Sequence, residues 1–305
     1  MNDLHTPPSI AIIGAGAVGS LCAAKLALAG ARVCFVDQRL AQPTTLTLDF
    51  VDPQAQTQRF EFLQRPSIAD ADYLLVCVKA YQVAQATQGL ALPEHCQAVL
   101  LVNGMGAEQS LPLSWSERPL WLGSNSHGSL LENGSGVSGK QVRHTGIGKI
   151  IIGNAGAPDV PAHFAPMAEA LGASWDGQIE AALWRKLAVN CCINPLTALY
   201  DIRNGALLAP RFEQQLEKLC QEFCQVANAC GVELTSAQTL TQVKQVAEMT
   251  ADNFSSMHQD LHKQRPTEIE HITGFLLKQA AQQGLTIASH QALYSAIKER
   301  EATYV

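Results

Sequence analysis

The first half of the chain alternates short apolar runs with amphipathic segments. Ser9 to Ile13 and Arg32 to Val36 are rich in β-branched residues, and a helical stretch, Val18 to Ala29, separates them. Tyr73 to Val78 and Ala98 to Val102 are two further apolar runs that predict buried strands. This alternation favours a doubly wound α/β domain with a parallel sheet.

The pattern changes after Leu120. Between Leu120 and Ile152, glycine-containing turns separate short β-like runs, which predicts antiparallel strands that close the first domain. Pro158 to Leu171 predicts a covering helix, and a last strand-like segment lies around Trp175. We therefore predict a domain boundary near Gly177.

Helical periodicity dominates the second half. Gly231 and Gly284 stand where glycine commonly ends a helix, and Thr267 precedes Glu270 with the spacing of a capping box. The predicted fold is an α/β Rossmann-like N-terminal domain, residues 1–177, and an all-α C-terminal domain, residues 178–305. The predicted helices are Glu180 to Cys192, Phe212 to Cys230, Ser236 to Met249, Thr267 to Gln283 and His290 to Glu301.

Composition narrows the classes of function. Of the 305 residues, 47% are apolar and 16% charged, which is typical of a compact protein, and the net charge of −6 argues against nucleic-acid and anionic-membrane partners. We find neither a membrane-spanning run nor the features of a signal peptide in Met1 to Ser9. The nine scattered cysteines show neither metal-ligand spacing nor a disulfide framework. We expect a cytoplasmic protein with reduced thiols and no metal.

The first strand is followed by a glycine-rich segment. In the order strand, glycine turn and helix, this motif predicts a dinucleotide site, and the alternative is a βαβ turn without a ligand. Gly14 permits the tight turn, Gly16 lets the backbone approach a pyrophosphate, and Gly19 lets the helix pack closely on the strand. The candidate cofactor-binding segment is Gly14-Ala15-Gly16-Ala17-Val18-Gly19.

Two polar residues follow the next strands of the predicted sheet. Lys79 comes after the run that ends at Val78, and Asn103 comes after the run that ends at Val102. Ligands of doubly wound sheets bind at the carboxyl ends of the strands, so both residues are candidates for contact with cofactor or substrate. The alternatives are a solvated loop lysine and an Asn-Gly turn.

A polar stripe runs along an otherwise apolar helix. Lys186, Asn190 and Asn194 are spaced four apart, and each step advances about 40° around a helix axis. Pro195 makes Asn194 the least secure member, because the residue before proline avoids helical geometry. The stripe is typical of the wall of a polar pocket. The alternative is a solvated stripe on the side of Arg185.

Local helix structure alone can explain Ser256 and Glu268, without a role for either residue in a binding site. Ser256 stands at a helix-like start, where serine commonly caps the helix. Glu268 stands in a predicted first turn, where a carboxylate interacts favourably with the helix dipole.

The chain resembles the ketopantoate reductase (2-dehydropantoate 2-reductase) family from Ile10 to about Glu301. The matching motifs are Gly14 to Gly19, Val78 to Gln82, Asn103 to Gly106, Leu183 to Asn190, Asn194 to Ala198, Ser255 to Asp260 and Thr267 to Glu270. The resemblance implies a Rossmann domain joined to a helical domain. It implies that Lys186 is the catalytic lysine and that the cofactor contacts include Lys79 and Asn103. The substrate-binding residues that it implies are Lys79, Asn103, Asn190, Asn194, Asn204, Ser256 and Glu268.

The implied reaction is reduction of a 2-oxo acid, ketopantoate, to pantoate, in pantothenate and coenzyme A biosynthesis. Charged Lys186 would stabilise the developing oxyanion and donate a proton. The family implies NADPH, often held by an arginine just past the second strand. Here Asp37 and Arg39 occupy that region: Asp37 favours NADH, and Arg39 can neutralise it. We expect NADPH, with NADH as the alternative.

Two other functions fit part of the sequence. β-Hydroxyacid dehydrogenases share the domain plan and a Lys-x-x-x-Asn helix, and their glycine-rich loop resembles Gly136-Val137-Ser138-Gly139, although Lys140 replaces the last glycine. A non-catalytic NADPH-binding protein on the same fold is the second alternative, and Lys186 together with Glu268 argues against it. We expect a small-molecule substrate and either a monomer or a homodimer.

Overall fold

The computed structural model describes residues 7–116, 118–133, 139–154 and 159–304. The chain forms two compact units. The first comprises Met1–Val102 and Glu108–Ile179, and the second comprises Asn103–Ala107 and Glu180–Val305. The segment Asn103–Ala107 therefore belongs to the second unit, although it directly follows a strand of the first.

In the described residues, the first unit contains one sheet of eleven strands in the order β11-β10-β7-β6-β5-β1-β2-β4-β3-β9-β8. Its helices are α1 (Ala17–Leu28), α2 (Val83–Thr87) and α3 (Ala165–Leu171). The strands are β1 (Ser9–Ile13), β2 (Arg32–Val36), β3 (Thr44–Val51), β4 (Thr57–Arg65), β5 (Tyr73–Val76), β6 (Gln97–Leu100), β7 (Trp121–Asn125), β8 (Gly128–Asn133), β9 (Lys140–Gly146), β10 (Ile150–Gly153) and β11 (Ala173–Trp175).

The centre of the sheet is parallel, with β1 between β2 and β5, and β6 beyond β5. All five residues of β1 are buried, as expected for a strand covered on both faces. The predicted Rossmann-like fold is confirmed. The predicted strands β1 and β2 have the bounds expected, whereas β5 and β6 each end two residues earlier than their apolar runs.

The hairpin of β3 and β4 was not predicted. Most of its exposed positions carry polar side chains. Asp49 lies opposite Arg59, whose guanidinium Nε donates to the Asp49 carboxylate at 2.7 Å. Of the strands predicted between Leu120 and Ile152, β7 pairs with β10 and β8 with β9 in antiparallel fashion. However, β9 also pairs in parallel with β3. The helix predicted from Pro158 begins only at Ala165, after a 3-10 turn; Pro158 itself lies outside the described residues.

The regular elements described in the second unit are helices. Gly231 and Gly284 follow α5 and α8 with φ of 83° and 67°, so both glycines adopt the left-handed conformation predicted for a helix end. Trp184, Phe223 and Leu276 belong to one buried core that α4, α5 and α8 share. The helices are α4 (Ile179–Tyr200), α5 (Glu213–Ala229), α6 (Ser236–Met249), α7 (Ser256–His262), α8 (Thr273–Gln282) and α9 (Ala288–Ala302).

The prediction of one helix from Thr267 to Gln283 is wrong. A 3-10 turn, Ile269–His271, is separated from α8 by Ile272, which has φ −103° and ψ −88°. The predicted capping box is also wrong, because the Thr267 amide donates to Glu301 Oε1 and the carboxylate of Glu270 accepts from Tyr294.

The nine cysteines are free thiols. Among the described residues, we find no helix with both the length and the apolar character that crossing a membrane requires.

Candidate active site

The glycine-rich turn connects β1 to α1 in the first unit. Gly14 has φ 102°, and a Cβ on this residue would lie 2.8 Å from the Cys77 carbonyl carbon. A Cβ on Gly19 would lie 1.9 Å from Gly14 O, so the fold itself requires both glycines. Gly16 differs, because no atom beyond its immediate chain neighbours lies within 4 Å of the Cβ position.

Gly16 is the N-cap of α1 and makes no side-chain capping bond, and the first turn of α1 carries no acidic residue. Ala17 and Val18 are the first residues of α1, and the space beside Gly16 that a Cβ would occupy is open. Free helix N-terminal amides attract phosphate. This local geometry fits the pyrophosphate of a dinucleotide.

Asp37 and Arg39 form a bidentate ion pair just past β2. Arg39 Nε donates to Asp37 Oδ1 at 2.8 Å, and Nη2 donates to Oδ2 at 2.7 Å. The hydrogen bonds from Arg39 lower the pKa of Asp37. The Arg39 side chain is 87% exposed and that of Asp37 18%, so the guanidinium is accessible to a ligand from solvent.

Lys140 is a further candidate residue, which the sequence marks only as a departure from another family's loop. It is the first residue of β9, and its Nζ donates to Ala15 O of the glycine-rich turn at 3.2 Å. Gly136, Val137 and Ser138 of that compared loop lie outside the described residues. The position of Lys140 depends on strand pairing, which the sequence pattern around it did not reveal.

Lys79 follows β5 and is half-buried; its amide donates to Gln82 Oε1 at 3.2 Å at the start of a short 3-10 turn. It belongs to the first unit, whereas the other predicted substrate-binding residues belong to the second.

In the second unit, Lys186, Asn103 and Glu268 form a hydrogen-bonded row. Lys186 Nζ donates to Asn103 Oδ1 at 3.1 Å, and Asn103 Nδ2 donates to Glu268 Oε2 at 3.3 Å. The amide is therefore oriented with its oxygen toward the ammonium and its nitrogen toward the carboxylate. Met105 attaches this segment by donating its amide to His271 O at 2.9 Å.

The environment of Lys186 changes its acidity. Burial lowers its pKa to about 8, and the carboxylate of Glu268 partly opposes this shift. Since the pKa still exceeds 7, the ammonium form predominates at neutral pH, by about tenfold. Glu268 is only 3% exposed, although neighbouring Glu270 is exposed. A charged donor with a moderately lowered pKa is well suited to release a proton.

Helix α4, which carries the polar stripe, extends further than predicted. The helix continues through Pro195 to Tyr200, so Asn190 and Asn194 lie on the same continuous helix as Lys186. The prediction that the helix ends near Cys192 is therefore wrong. Asn194 is buried and Asn190 is half-buried, while Arg185 is exposed.

Asn204 begins a short 3-10 turn and is buried. Its side-chain Nδ2 donates to Thr250 Oγ1 at 2.9 Å, and its backbone N–H donates to Asn253 O. Oδ1 is buried and has no hydrogen-bond partner among the described residues. A buried acceptor without a donor is unfavourable, so Asn204 retains capacity for a ligand hydroxyl or a water molecule.

Ser256 is exposed and is the first residue of α7 rather than its cap. The N-cap is Ser255, whose Oγ accepts from the His258 amide and from Thr197 Oγ1 at 2.8 Å. The prediction of Ser256 as the N-cap is wrong by one residue. Its side chain therefore has no capping role and is available to a ligand.

Comparison with known proteins identifies the family. The model described as "Ketopantoate reductase PanE/ApbA" matches residues 10–157, and the corresponding C-terminal model matches residues 178–301. The chain belongs to the ketopantoate reductase family. Similarity to a curated 2-dehydropantoate 2-reductase of Vibrio cholerae serotype O1 is 38% identity, with 97% of this chain and 99% of that protein covered.

Solved structures agree with this ketopantoate reductase assignment. A probable 2-dehydropantoate 2-reductase from Bacillus subtilis matches with a TM-score of 0.75 and 29% identity, covering 96% of this chain and 99% of that one. D-mandelate dehydrogenase, solved with NADH and anilino(oxo)acetate, has a TM-score of 0.79 at 22% identity, with 97% and 99% coverage, and shows the shared fold. The family supports an oxidoreductase with a nicotinamide cofactor and a small-molecule substrate.

Proposed function

We propose that this chain catalyses the NADPH-dependent reduction of 2-dehydropantoate (ketopantoate) to pantoate, in pantothenate and coenzyme A biosynthesis. The observation that carries the proposal is the row Lys186–Asn103–Glu268, in which a partly buried ammonium is held beside an amide and a buried carboxylate. Residues 1–177 would serve as the dinucleotide-binding domain and residues 178–305 as the substrate-binding domain.

Residues of the first unit would hold the cofactor. The amides of Gly14 to Gly19 suit the pyrophosphate, and Asp37 with Arg39 suits the adenosine ribose and its phosphate. Lys79 and Asn103 are the proposed contacts at the nicotinamide end. When bound, the dihydronicotinamide supplies the hydride that reduces the C2 ketone.

Lys186 would be the proton donor of the reaction. As the carbonyl is reduced, its bonding electrons move to oxygen, and the ammonium of Lys186 stabilises the developing charge. The same group then transfers a proton to the oxygen, giving the hydroxyl of pantoate and a neutral lysine that recovers its proton from water. Asn103 positions Lys186 by accepting one of its three N–H bonds.

The remaining polar residues would recognise the rest of the substrate. Ketopantoate carries a carboxylate and a terminal hydroxyl, both of which suit amide and hydroxyl side chains. We propose that Glu268 accepts a hydrogen bond from the hydroxyl. The other proposed substrate contacts are Asn190, Asn194, Asn204 and Ser256.

An assay of NADPH oxidation, monitored through the loss of the dihydronicotinamide absorbance, tests this function directly. We expect rapid turnover with ketopantoate and much slower turnover with 2-oxo acids that lack the branched, hydroxylated chain. A preference for an aryl or β-oxo acid would instead favour a different dehydrogenase of this fold. Cofactor binding without turnover of any 2-oxo acid would favour the non-catalytic alternative.

Arg39→Ala is expected to weaken NADPH binding by about one to two powers of ten and to leave NADH nearly unchanged. Charge-assisted hydrogen bonds to the extra phosphate contribute about 1.5–3 kcal/mol, and NADH lacks that phosphate. Fluorescence titration of both cofactors measures the effect. Arg32→Ala, an exposed arginine at the opposite end of β2, is the matched control. Tighter binding of NADH than NADPH by the wild type would contradict the NADPH assignment.

A further inference from the structure

The pairing of β9 within the sheet places Lys140 next to the glycine-rich turn. β9 pairs in parallel with β3, with Lys140 opposite Leu48, and both β8 and β9 lie against α1. Side chains alternate along a strand, so Lys140 shares its face with buried Val142, which packs in the core that contains α1. The Lys140 side chain therefore points back to Ala15, where it donates its hydrogen bond.

Three charged groups meet beside this turn. The charge of Lys140 contributes to the lowered pKa of Asp37. Burial lowers the pKa of Lys140, Asp37 raises it, and Arg39 lowers it further. Parallel pairing of β1 with β2, with Ile13 opposite Val36, places Asp37 at the same end of the sheet as the glycine-rich turn that Lys140 contacts. One carboxylate and two cations leave a net positive charge at the place where this fold binds the adenosine ribose.

The hydrogen bond to the Ala15 carbonyl does not by itself explain why a lysine occupies this position. An ammonium has three N–H donors, and a single backbone carbonyl satisfies one of them. No carboxylate lies within ion-pair distance of Nζ among the described residues, although the side chain is half-buried. Partial burial of a cation without an anion within 4 Å is unfavourable. A bound phosphate would supply that anion.

We propose that Lys140 contacts the 2′-phosphate of NADPH, opposite Arg39, and so allows a chain with Asp37 at this position to prefer the phosphorylated cofactor. The inference deepens the proposed function and rests on its NADPH dependence. It assigns cofactor selection to a residue of β9, about a hundred residues beyond the Rossmann motif that contains Asp37.

Lys140→Met tests the proposal by equilibrium titration with NADPH, NADH and adenosine 2′-monophosphate. We expect NADPH and the monophosphate to bind about ten- to a hundredfold more weakly and NADH to change by no more than about twofold. Arg143→Met is the matched control: it also removes one positive charge from β9, but on the opposite face, where Arg143 pairs with Glu132 at 3.7 Å. We expect this control to bind all three ligands as the wild type does.

Lys140→Gln separates the charge from the structural bond, because a glutamine amide can still donate to Ala15 O. It should lose NADPH preference as Lys140→Met does, with an unchanged melting temperature. Equal weakening of NADPH and NADH, or no more weakening than in Arg143→Met, would overturn the inference while NADPH-dependent turnover by the wild type still stands. A wild type that prefers NADH would overturn both the inference and the proposed cofactor.

Discussion

Lys186→Met is expected to lower kcat with ketopantoate by roughly three to four powers of ten, while NADPH binds as it does to the wild type. The substitution keeps an unbranched side chain in the half-buried site but removes the proton donor and the charge next to the developing oxyanion. Steady-state kinetics give kcat, and fluorescence titration gives cofactor affinity. Near wild-type turnover would place the catalytic group elsewhere, because Lys186 is the proton donor of the proposed row.

Arg185→Met is the matched control, since it removes a neighbouring positive charge from the exposed side of α4. It should leave kcat within about twofold of the wild type. The pH profile provides a second check. Burial sets the pKa of Lys186 at about 8, and the charged form is the proton donor, so kcat should be level below that pH and fall tenfold per unit above it. The Met variant should lack this fall.

The central β-α-β unit could be predicted because its determinants are local. The apolar runs of β1 and β2 and the glycines between them specify elements whose pairing follows from right-handed crossover rules. The hairpin of β3 and β4 lacks such a pattern. Thr57–Arg65 contains charged and polar residues at most positions, and its stability comes from pairing with β3 and from the contact of Arg59 with Asp49.

Helix ends on either side of the active-site row were mispredicted because tertiary contacts override local preferences. Pro195 removes one backbone donor, yet α4 continues because the residues around it are buried and Thr197 packs against Ser255 through a hydrogen bond. The break at Ile272 also has a tertiary cause, but with the opposite effect on the helix. The preceding carbonyl, of His271, is engaged by the Met105 amide instead of continuing into α8.

Among the site residues, too, local relations could be predicted from the sequence and long-range relations could not. The four-residue spacing of Lys186, Asn190 and Asn194 predicted a shared stripe on one helix, because a helix repeats locally. Asn103 lies 83 residues before Lys186 and 165 before Glu268, so no spacing rule connects them. Family resemblance identified all three residues, but only the fold gives the order in which they are hydrogen-bonded.

Glu268→Ala is expected to raise KM for ketopantoate by about ten- to a hundredfold, and to raise it far less for the analogue in which hydrogen replaces the terminal hydroxyl. A site built around a hydroxyl loses free energy when either partner is removed, whereas the analogue never made the bond. Steady-state kinetics with both substrates measure the difference. Glu270→Ala, two residues away and exposed, is the control and should leave both KM values unchanged.

Glu268→Gln tests the electrostatic effect of the carboxylate on Lys186, because it removes the charge and preserves the size of the buried side chain. The carboxylate of Glu268 raises the pKa of Lys186, so its neutralisation should move the alkaline fall of kcat to lower pH. An unmoved limb would contradict this electrostatic effect. Equal increases of KM for both substrates in Glu268→Ala would exclude Glu268 as the hydroxyl acceptor. Its buried carboxylate would then serve only to orient Asn103 toward Lys186.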